Sequence, residues 1–208
     1  MTGRPRPRRP AMLDPRAADE LPGAGDPELR AEIAHTTAHA IVAGGRATTD
    51  PEVVARLVRL VDYEGLDTVA ALWADAAPDT LPGALWRAYV LRDWVRRDPR
   101  TIAERYRLGV ARAEVAGVVA GVADFAGPDE VADTLDAVLS GLYTGELDVA
   151  LERAAALCRG LAVGVALDAD RIGPADLATR LTRSASGLIR TAEELERAAD
   201  GWRAGRLA

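Results

Sequence analysis

Hydrophobic residues recur along most of this chain three and four residues apart. Val53, Leu57, Leu60 and Val61 are one example, and this period is typical of one buried face of an α-helix. The alternation of hydrophobic and polar residues that marks a strand is nearly absent. The pattern therefore predicts an all-α fold, a compact bundle of about nine helices at residues 27–43, 51–63, 66–76, 81–97, 99–107, 110–124, 128–142, 146–167 and 174–200.

Proline indicates where five of these helices begin. Residues 27, 51, 99, 128 and 174 are prolines, and each follows an Asp or a Gly. Such a residue caps the free N–H groups of a first turn, and proline fits the first helical position. We expect each of these pairs to start a helix.

The helix at 81–97 carries the densest group of large hydrophobic side chains. Leu85, Trp86, Tyr89, Leu91 and Trp94 cover most of its circumference, which is typical of a helix buried on nearly every side. Six of the nine aromatic residues lie between positions 63 and 106. Because aromatic side chains dominate core energetics, we expect the centre of the core here.

Two pairs of glycines stand four residues apart, about one helical turn: Gly117 with Gly121, and Gly160 with Gly164. Small residues at this spacing let two helices approach closely. We expect these pairs to mark tight helix packing.

The first 25 residues lack helical periodicity and alternate Pro with Arg near their start. This composition predicts a disordered basic arm at residues 1–25. Residues 26–208 then form a single helical domain, whose candidate subdivision lies near residues 108–127.

Charge is unevenly distributed along the chain. The net charge is −6, which argues against a whole surface that binds nucleic acid. Residues 1–16 nevertheless carry +4 and residues 87–112 carry +5, which leaves −15 elsewhere. All 26 basic residues are Arg, with no Lys, Asn or Gln in the chain. This composition indicates a GC-rich genome such as that of an actinobacterium, in which Arg also serves where Lys usually would.

The single cysteine, Cys158, permits no internal disulfide and fits a reducing cytosol. No signal peptide is visible, and no stretch reaches the roughly 20 apolar residues that cross a bilayer. We expect a cytoplasmic protein without a membrane partner.

Candidate nucleophiles are few. Ser140, Ser184 and Ser186 lie outside any nucleophile-elbow pattern. Cys158 lies among Ala and Leu, which predicts a buried, inert thiol. No phosphate-binding loop is present. We expect a protein that is not an enzyme and has no catalytic residue.

His35 and His39 lie four residues apart, with Glu32 one turn earlier. Two imidazoles at this spacing can share a metal ion. A carboxylate-bridged bundle site needs a second Glu-x-x-His motif, but these are the only two histidines. We expect neither a metal nor a cofactor.

Two basic groups are candidates for contact with DNA phosphates. Arg4, Arg6, Arg8 and Arg9 would supply mobile charge from the arm, where Gly3-Arg4-Pro5 resembles half of an AT-hook. Arg92, Arg96, Arg97 and Arg100 would form a fixed patch where one helix ends and the next begins. Our leading hypothesis is a non-catalytic cytosolic accessory protein that contacts DNA through phosphates.

Residues 102–119 have the hydrophobic phasing of a helix-turn-helix, with Gly109 in the turn. The second helix of that segment offers only Arg112 and Glu114 to base edges, where a sequence reader presents three or four polar side chains. We therefore expect a helix junction at Gly109.

The alternative hypothesis is a protein-interaction or dimerisation module without nucleic-acid binding. Its acidic C-terminal helices and small-residue faces would pack against a partner or a second copy, while the basic centre would pair with acids inside the fold. A third hypothesis is a helical bundle that binds a small molecule, which requires a pocket.

Two segments resemble a known group of proteins: VDYEGLDTVAALWADA at 61–76 and LPGALWRAYVLRDWVRRDP at 81–99. They are similar to an all-helical group of uncharacterised actinobacterial proteins, some of them labelled only DNA-binding. The resemblance spans about residues 27–200. It implies a helical fold, favours the nucleic-acid hypothesis and brings no catalytic or ligand residue.

Overall fold

The computed structural model describes residues 27–44, 65–115, 127–140, 146–171 and 175–207. Within these ranges every element of secondary structure is an α-helix, as predicted. The seven helices are α1 (Pro27–Gly44), α2 (Leu66–Ala71), α3 (Leu81–Arg97), α4 (Pro99–Val115), α5 (Pro128–Leu139), α6 (Leu147–Arg171) and α7 (Ala175–Arg203). The predicted arm, residues 1–25, lies outside the described residues.

The described residues form seven helices, against about nine predicted for the chain. The predicted helix at 51–63 lies outside the described residues. The two predicted helices at 99–107 and 110–124 are one continuous helix, α4, as far as Val115. The junction expected at Gly109 is therefore wrong, and so is the resemblance to a helix-turn-helix.

Local capping chemistry explains where the central helices begin. The Thr80 hydroxyl accepts a hydrogen bond from the Gly83 N–H at 3.2 Å at the start of α3. The Asp98 carboxylate accepts one from the Thr101 N–H at 3.3 Å at the start of α4. Such side chains satisfy N–H groups that lack a partner in the first turn. The predicted starts at residues 27, 99 and 128 are confirmed; those at 51 and 174 lie outside the described residues.

Helix α6 makes the most extensive contacts with single neighbours, while α3 contacts each of the other six described helices. Helix α6 shares its most extensive contacts with α7 and then with α4, whereas α3 packs mainly on α5. Trp86 and Trp94 are only half-buried, and Val90 between them is 45% exposed. Helix α3 thus contributes to the core as expected, while Trp86 and Trp94 pack only at its edge. Apart from Asp148, the buried side chains of α6 are small or aliphatic: Leu147, Ala150, Leu151, Ala154, Ala155, Leu157, Cys158, Leu161, Ala162, Val165 and Ala169.

Close contact between α4 and α6 depends on glycine. A Cβ atom placed on Gly109 would lie 1.9 Å from the Gly160 carbonyl oxygen. One placed on Gly164 would lie 2.0 Å from the Arg105 carbonyl oxygen. The tight packing predicted for Gly160 and Gly164 is confirmed, while Gly117 and Gly121 lie outside the described residues. Gly109 lies within a continuous helix, and its lack of a side chain leaves room for the backbone of α6.

A buried hydrogen bond ties α1 to the turn that follows α2. Trp73 is fully buried, and its indole N–H donates to the Thr37 hydroxyl at 3.0 Å. The Thr37 hydroxyl in turn donates to the Ile33 and Ala34 carbonyl oxygens. This network satisfies polar groups that burial would otherwise leave unpaired.

Candidate nucleic-acid interface

The last turns of α3 face the acidic side of α5. Arg92 pairs with Asp136. Arg96 reaches Asp133 and also Asp136, the latter at 2.7 Å between Nη2 and Oδ2. Hydrogen bonds to these two carboxylates, Asp133 first, raise the pKa of Arg96. Two of the four arginines predicted as a fixed DNA patch therefore hold aspartates within the fold.

The other two arginines of that patch point elsewhere. Arg97 pairs with Asp93 one turn earlier, at 2.9 Å, and its side chain is 75% exposed. Arg100 is exposed and forms no ion pair with any residue in the described ranges. The four arginines thus lie beside four aspartates, Asp93, Asp98, Asp133 and Asp136, so the predicted patch carries no net positive charge.

The arm half of the predicted interface lies outside the described residues: Arg4, Arg6, Arg8 and Arg9. The described chain begins at Pro27, the first residue of α1.

A different basic surface lies on the first half of α7. Arg180, Arg183 and Arg190 are exposed and make no ion pair with described residues. The stretch from 177 to 192 contains no Asp or Glu. We call the exposed residues Thr179, Arg180, Thr182, Arg183, Ser184, Ser186 and Arg190 the α7 basic face.

The serine hydroxyl groups of this face bind the backbone of their own helix. Ser184 donates to the Arg180 carbonyl oxygen and Ser186 to the Thr182 carbonyl oxygen, both at 3.1 Å. A phosphate oxygen only accepts hydrogen bonds, so each hydroxyl would have to redirect its proton from that carbonyl to contact one. Arginine, serine and threonine are among the side chains that often contact phosphate oxygens. Sequence reasoning missed this surface, although the acid-free stretch at 177–192 signals it.

The candidate nucleophiles are occupied or buried. Cys158 is buried, as predicted, and burial raises the pKa of its thiol to about 12. Ser140 donates its hydroxyl to the Ala137 carbonyl oxygen. His35 is half-buried and His39 exposed on α1. Among the described residues, no group of three His, Cys, Asp or Glu side chains lies close enough to hold a metal ion.

A cavity of about 470 Å³ lies between α1 and the turn after α2. Its apolar wall includes Ile33, Ala34 and Leu72, and its charged groups include Arg30 and Asp75. Its volume falls within the range of small-molecule sites, so the pocket that the third hypothesis requires has a counterpart in the fold.

Comparisons with known proteins give no further information on this surface. No family model matches the chain, and neither a curated protein nor a solved structure matches it. None of the helices that the structure describes is long and apolar enough to cross a membrane.

Proposed function

We propose that this protein is a non-catalytic accessory protein that contacts DNA through phosphates, and that the α7 basic face makes the contact. The observation that carries the proposal is the exposure of Arg180, Arg183 and Arg190 without an acidic partner among described residues. Arg92 and Arg96 already form ion pairs with carboxylates. These pairs would have to break before either arginine could bind phosphate.

The geometry of α7 suits contact along a backbone rather than with base edges. Arg183 and Arg190 are seven residues apart, so they lie on the same side of the helix and about 10 Å apart along its axis. Exposed hydroxyl groups of Ser184 and Ser186 lie between them. A surface of arginine and hydroxyl groups positions a protein on a duplex without carrying sequence information.

The whole chain is acidic, with a net charge of −6. Binding would therefore be weak and would depend strongly on salt, because its favourable term is release of counterions from the duplex. The net +4 of residues 1–16 adds to the same term.

The test is a titration of fluorescent duplex DNA with the full chain, repeated from about 50 to about 200 mM salt. The variant carries Arg180→Gln, Arg183→Gln and Arg190→Gln. We expect weaker binding and a salt slope smaller by about 0.9 for each phosphate that the variant fails to neutralise. The matched control carries Arg107→Gln, Arg153→Gln and Arg206→Gln, which removes the same charge from other exposed positions.

The control variant distinguishes the effect of this surface on DNA binding from the effect of net charge. Equal weakening in the two triple variants would overturn the assignment to α7, and no binding at the lowest salt would overturn the proposed function. A chain that lacks residues 1–16 should also bind more weakly, with the α7 contribution unchanged.

A further inference from the structure

The cavity between α1 and the turn after α2 has a mostly apolar lining. Ile33 and Leu72, one from each wall, are large apolar side chains that are 40% and 41% exposed. The volume of about 470 Å³ suits a small molecule with an apolar body. Small side chains leave this space open, since five of the lining residues are alanines: Ala31, Ala34, Ala71, Ala76 and Ala77.

The two walls of this cavity carry opposite charges. Arg30 lines it from α1 and Asp75 from the turn after α2. Neither side chain forms an ion pair or a hydrogen bond with a described residue, so they do not pair with one another either. His35 and Thr80 are the other polar side chains of the lining. A guanidinium and a carboxylate thus border the same apolar space, each without a partner among the described residues.

We propose that this cavity binds a zwitterionic small molecule with an apolar body, of the size of an amino acid or a dipeptide. The ligand carboxylate binds Arg30, whose planar guanidinium matches a carboxylate with two parallel hydrogen bonds. The ligand ammonium group donates to the Asp75 carboxylate, which can only accept hydrogen bonds. The apolar body covers Ile33, Leu72 and the alanines between them.

The pair of opposite charges selects a zwitterion over a molecule with one charge. An acid without an amine would leave Asp75 unpaired beside its own carboxylate. An amine without a carboxylate would leave Arg30 unpaired beside its own positive charge. Complementary charges of this kind confer specificity more than affinity, and both side chains are exposed, so each ion pair contributes modestly. Neither residue belongs to the α7 basic face, and the inference therefore goes beyond the proposed contact with DNA.

The indole N–H of Trp73 provides a signal for binding. It donates to the Thr37 hydroxyl at 3.0 Å, and this hydrogen bond joins the same two parts of the chain that form the cavity walls. Its NMR signal in the isotope-labelled full chain, once assigned, should shift when a ligand fills the cavity. The same signal reports whether a variant is folded, because Trp73 is fully buried.

The test is a titration of the full chain with four probes. Leucine and leucyl-leucine are zwitterions, isocaproate lacks the ammonium group of leucine, and isoamylamine lacks its carboxylate. Concentrations reach about 10 mM, because ligands of this size bind with micromolar to millimolar dissociation constants. We expect both zwitterions to shift the Trp73 signal and to bind about threefold or more tightly than the two singly charged probes. The tighter of the two zwitterions identifies the source as a free amino acid or a peptide.

Two charge variants test the assigned roles. Arg30→Gln should weaken binding of leucine about threefold or more and abolish its advantage over isoamylamine. Asp75→Asn should weaken binding of leucine to a similar extent and abolish its advantage over isocaproate. The matched controls are Arg107→Gln and Asp170→Asn, at exposed positions of α4 and α6 outside the cavity. Both controls should bind as wild type does.

A filling variant tests the location. Ala31 is exposed and lines the cavity, so Ala31→Phe should occupy the space and block both zwitterions. Ala111→Phe, at an exposed alanine of α4, is its control and should bind as wild type does. Undiminished binding to Ala31→Phe would overturn the assignment to this cavity. No shift with either zwitterion at the highest concentration would overturn the proposal, and equally tight binding of isocaproate or isoamylamine would overturn the zwitterion as ligand.

Discussion

The crossing of α4 and α6 gives the most direct test of how the fold is held together. Gly164 lies where α6 passes the backbone of α4, and a Cβ there would stand 2.0 Å from the Arg105 carbonyl oxygen. Ordinary contact begins at 3.4 Å. Alanine at this position therefore requires the two backbones to separate locally by about 1.4 Å, the difference between these distances.

The loss of stability in Gly164→Ala comes from weaker packing between α4 and α6. A radial gap of 0.5 to 1 Å forfeits about a quarter to a half of the dispersion energy between surfaces in contact. Ile102 and Tyr106 are buried side chains of α4, and overpacking in such a setting costs about 1–3 kcal/mol or more. Alanine gains about 1 kcal/mol over glycine as a helix former. We expect Gly164→Ala to lower the free energy of unfolding by about 2 kcal/mol.

Gly187 provides the control, because it lies in α7 with no atom within 4 Å of an added Cβ. Gly187→Ala should raise the free energy of unfolding by about 0.5–1 kcal/mol. Gly160→Ala should fall between the two, since its nearest neighbour at 2.8 Å is a side-chain atom of Tyr106 rather than backbone. Urea unfolding followed by circular dichroism measures all three. Equal effects of Gly164→Ala and Gly187→Ala would refute the reasoning.

Three further predictions concern single side chains. Thr37→Val should lower the free energy of unfolding by about 1–3 kcal/mol, because the buried Trp73 indole N–H is left without its acceptor; Thr37→Ser, measured beside it in urea, should restore most of that stability. Cys158 should fail to react with a thiol reagent at pH 8 until the chain is unfolded, because burial raises its pKa to about 12; rapid labelling of folded protein would contradict this. A two-pronged hydrogen bond from Arg159 lowers the pKa of Glu196 below its usual 4.5. Its stabilisation is therefore present at neutral pH and disappears as the pH falls through that lowered value. The difference in unfolding free energy between wild type and Glu196→Gln, below about 1 kcal/mol for this exposed pair, should vanish in acid.

Local chemistry made the limits of α3 predictable. A capping threonine and Pro82 precede the hydrophobic pattern, and Asp98 with Pro99 follows it. Each of these residues acts on its own turn of backbone, so the sequence alone was enough to predict residues 81–97.

Gly109 shows where local reasoning fails. Glycine favours a turn when only neighbours in sequence are considered. In the folded chain, the α6 backbone occupies the space that a side chain at this position would fill. That requirement comes from residues some fifty positions away, and helical periodicity carries no information about it. The same holds for Trp86 and Trp94, whose half-buried positions depend on which helices cover α3.

The arginines of α3 show a similar limit for the candidate site. Their number was visible in the sequence, but their partners Asp133 and Asp136 lie about forty residues later on α5. A rule based on local charge therefore predicted a basic patch where the fold builds ion pairs. The α7 basic face was predictable in principle, because the whole stretch from 177 to 192 has no acid at all.

Composition sharpens this contrast between the two helices. This chain contains no lysine, so every permanently positive side chain is an arginine. The presence of an arginine therefore does not by itself indicate a binding site. What distinguishes a binding surface is whether a carboxylate lies within reach. Arg92 and Arg96 face the acids of α5 and serve to hold two helices together. Arg183 and Arg190 make no ion pair with a described residue, and for this reason we propose that they contact phosphate. The absence of nearby acids, rather than the density of arginine, is therefore the property by which a phosphate-binding surface in such a chain can be recognised.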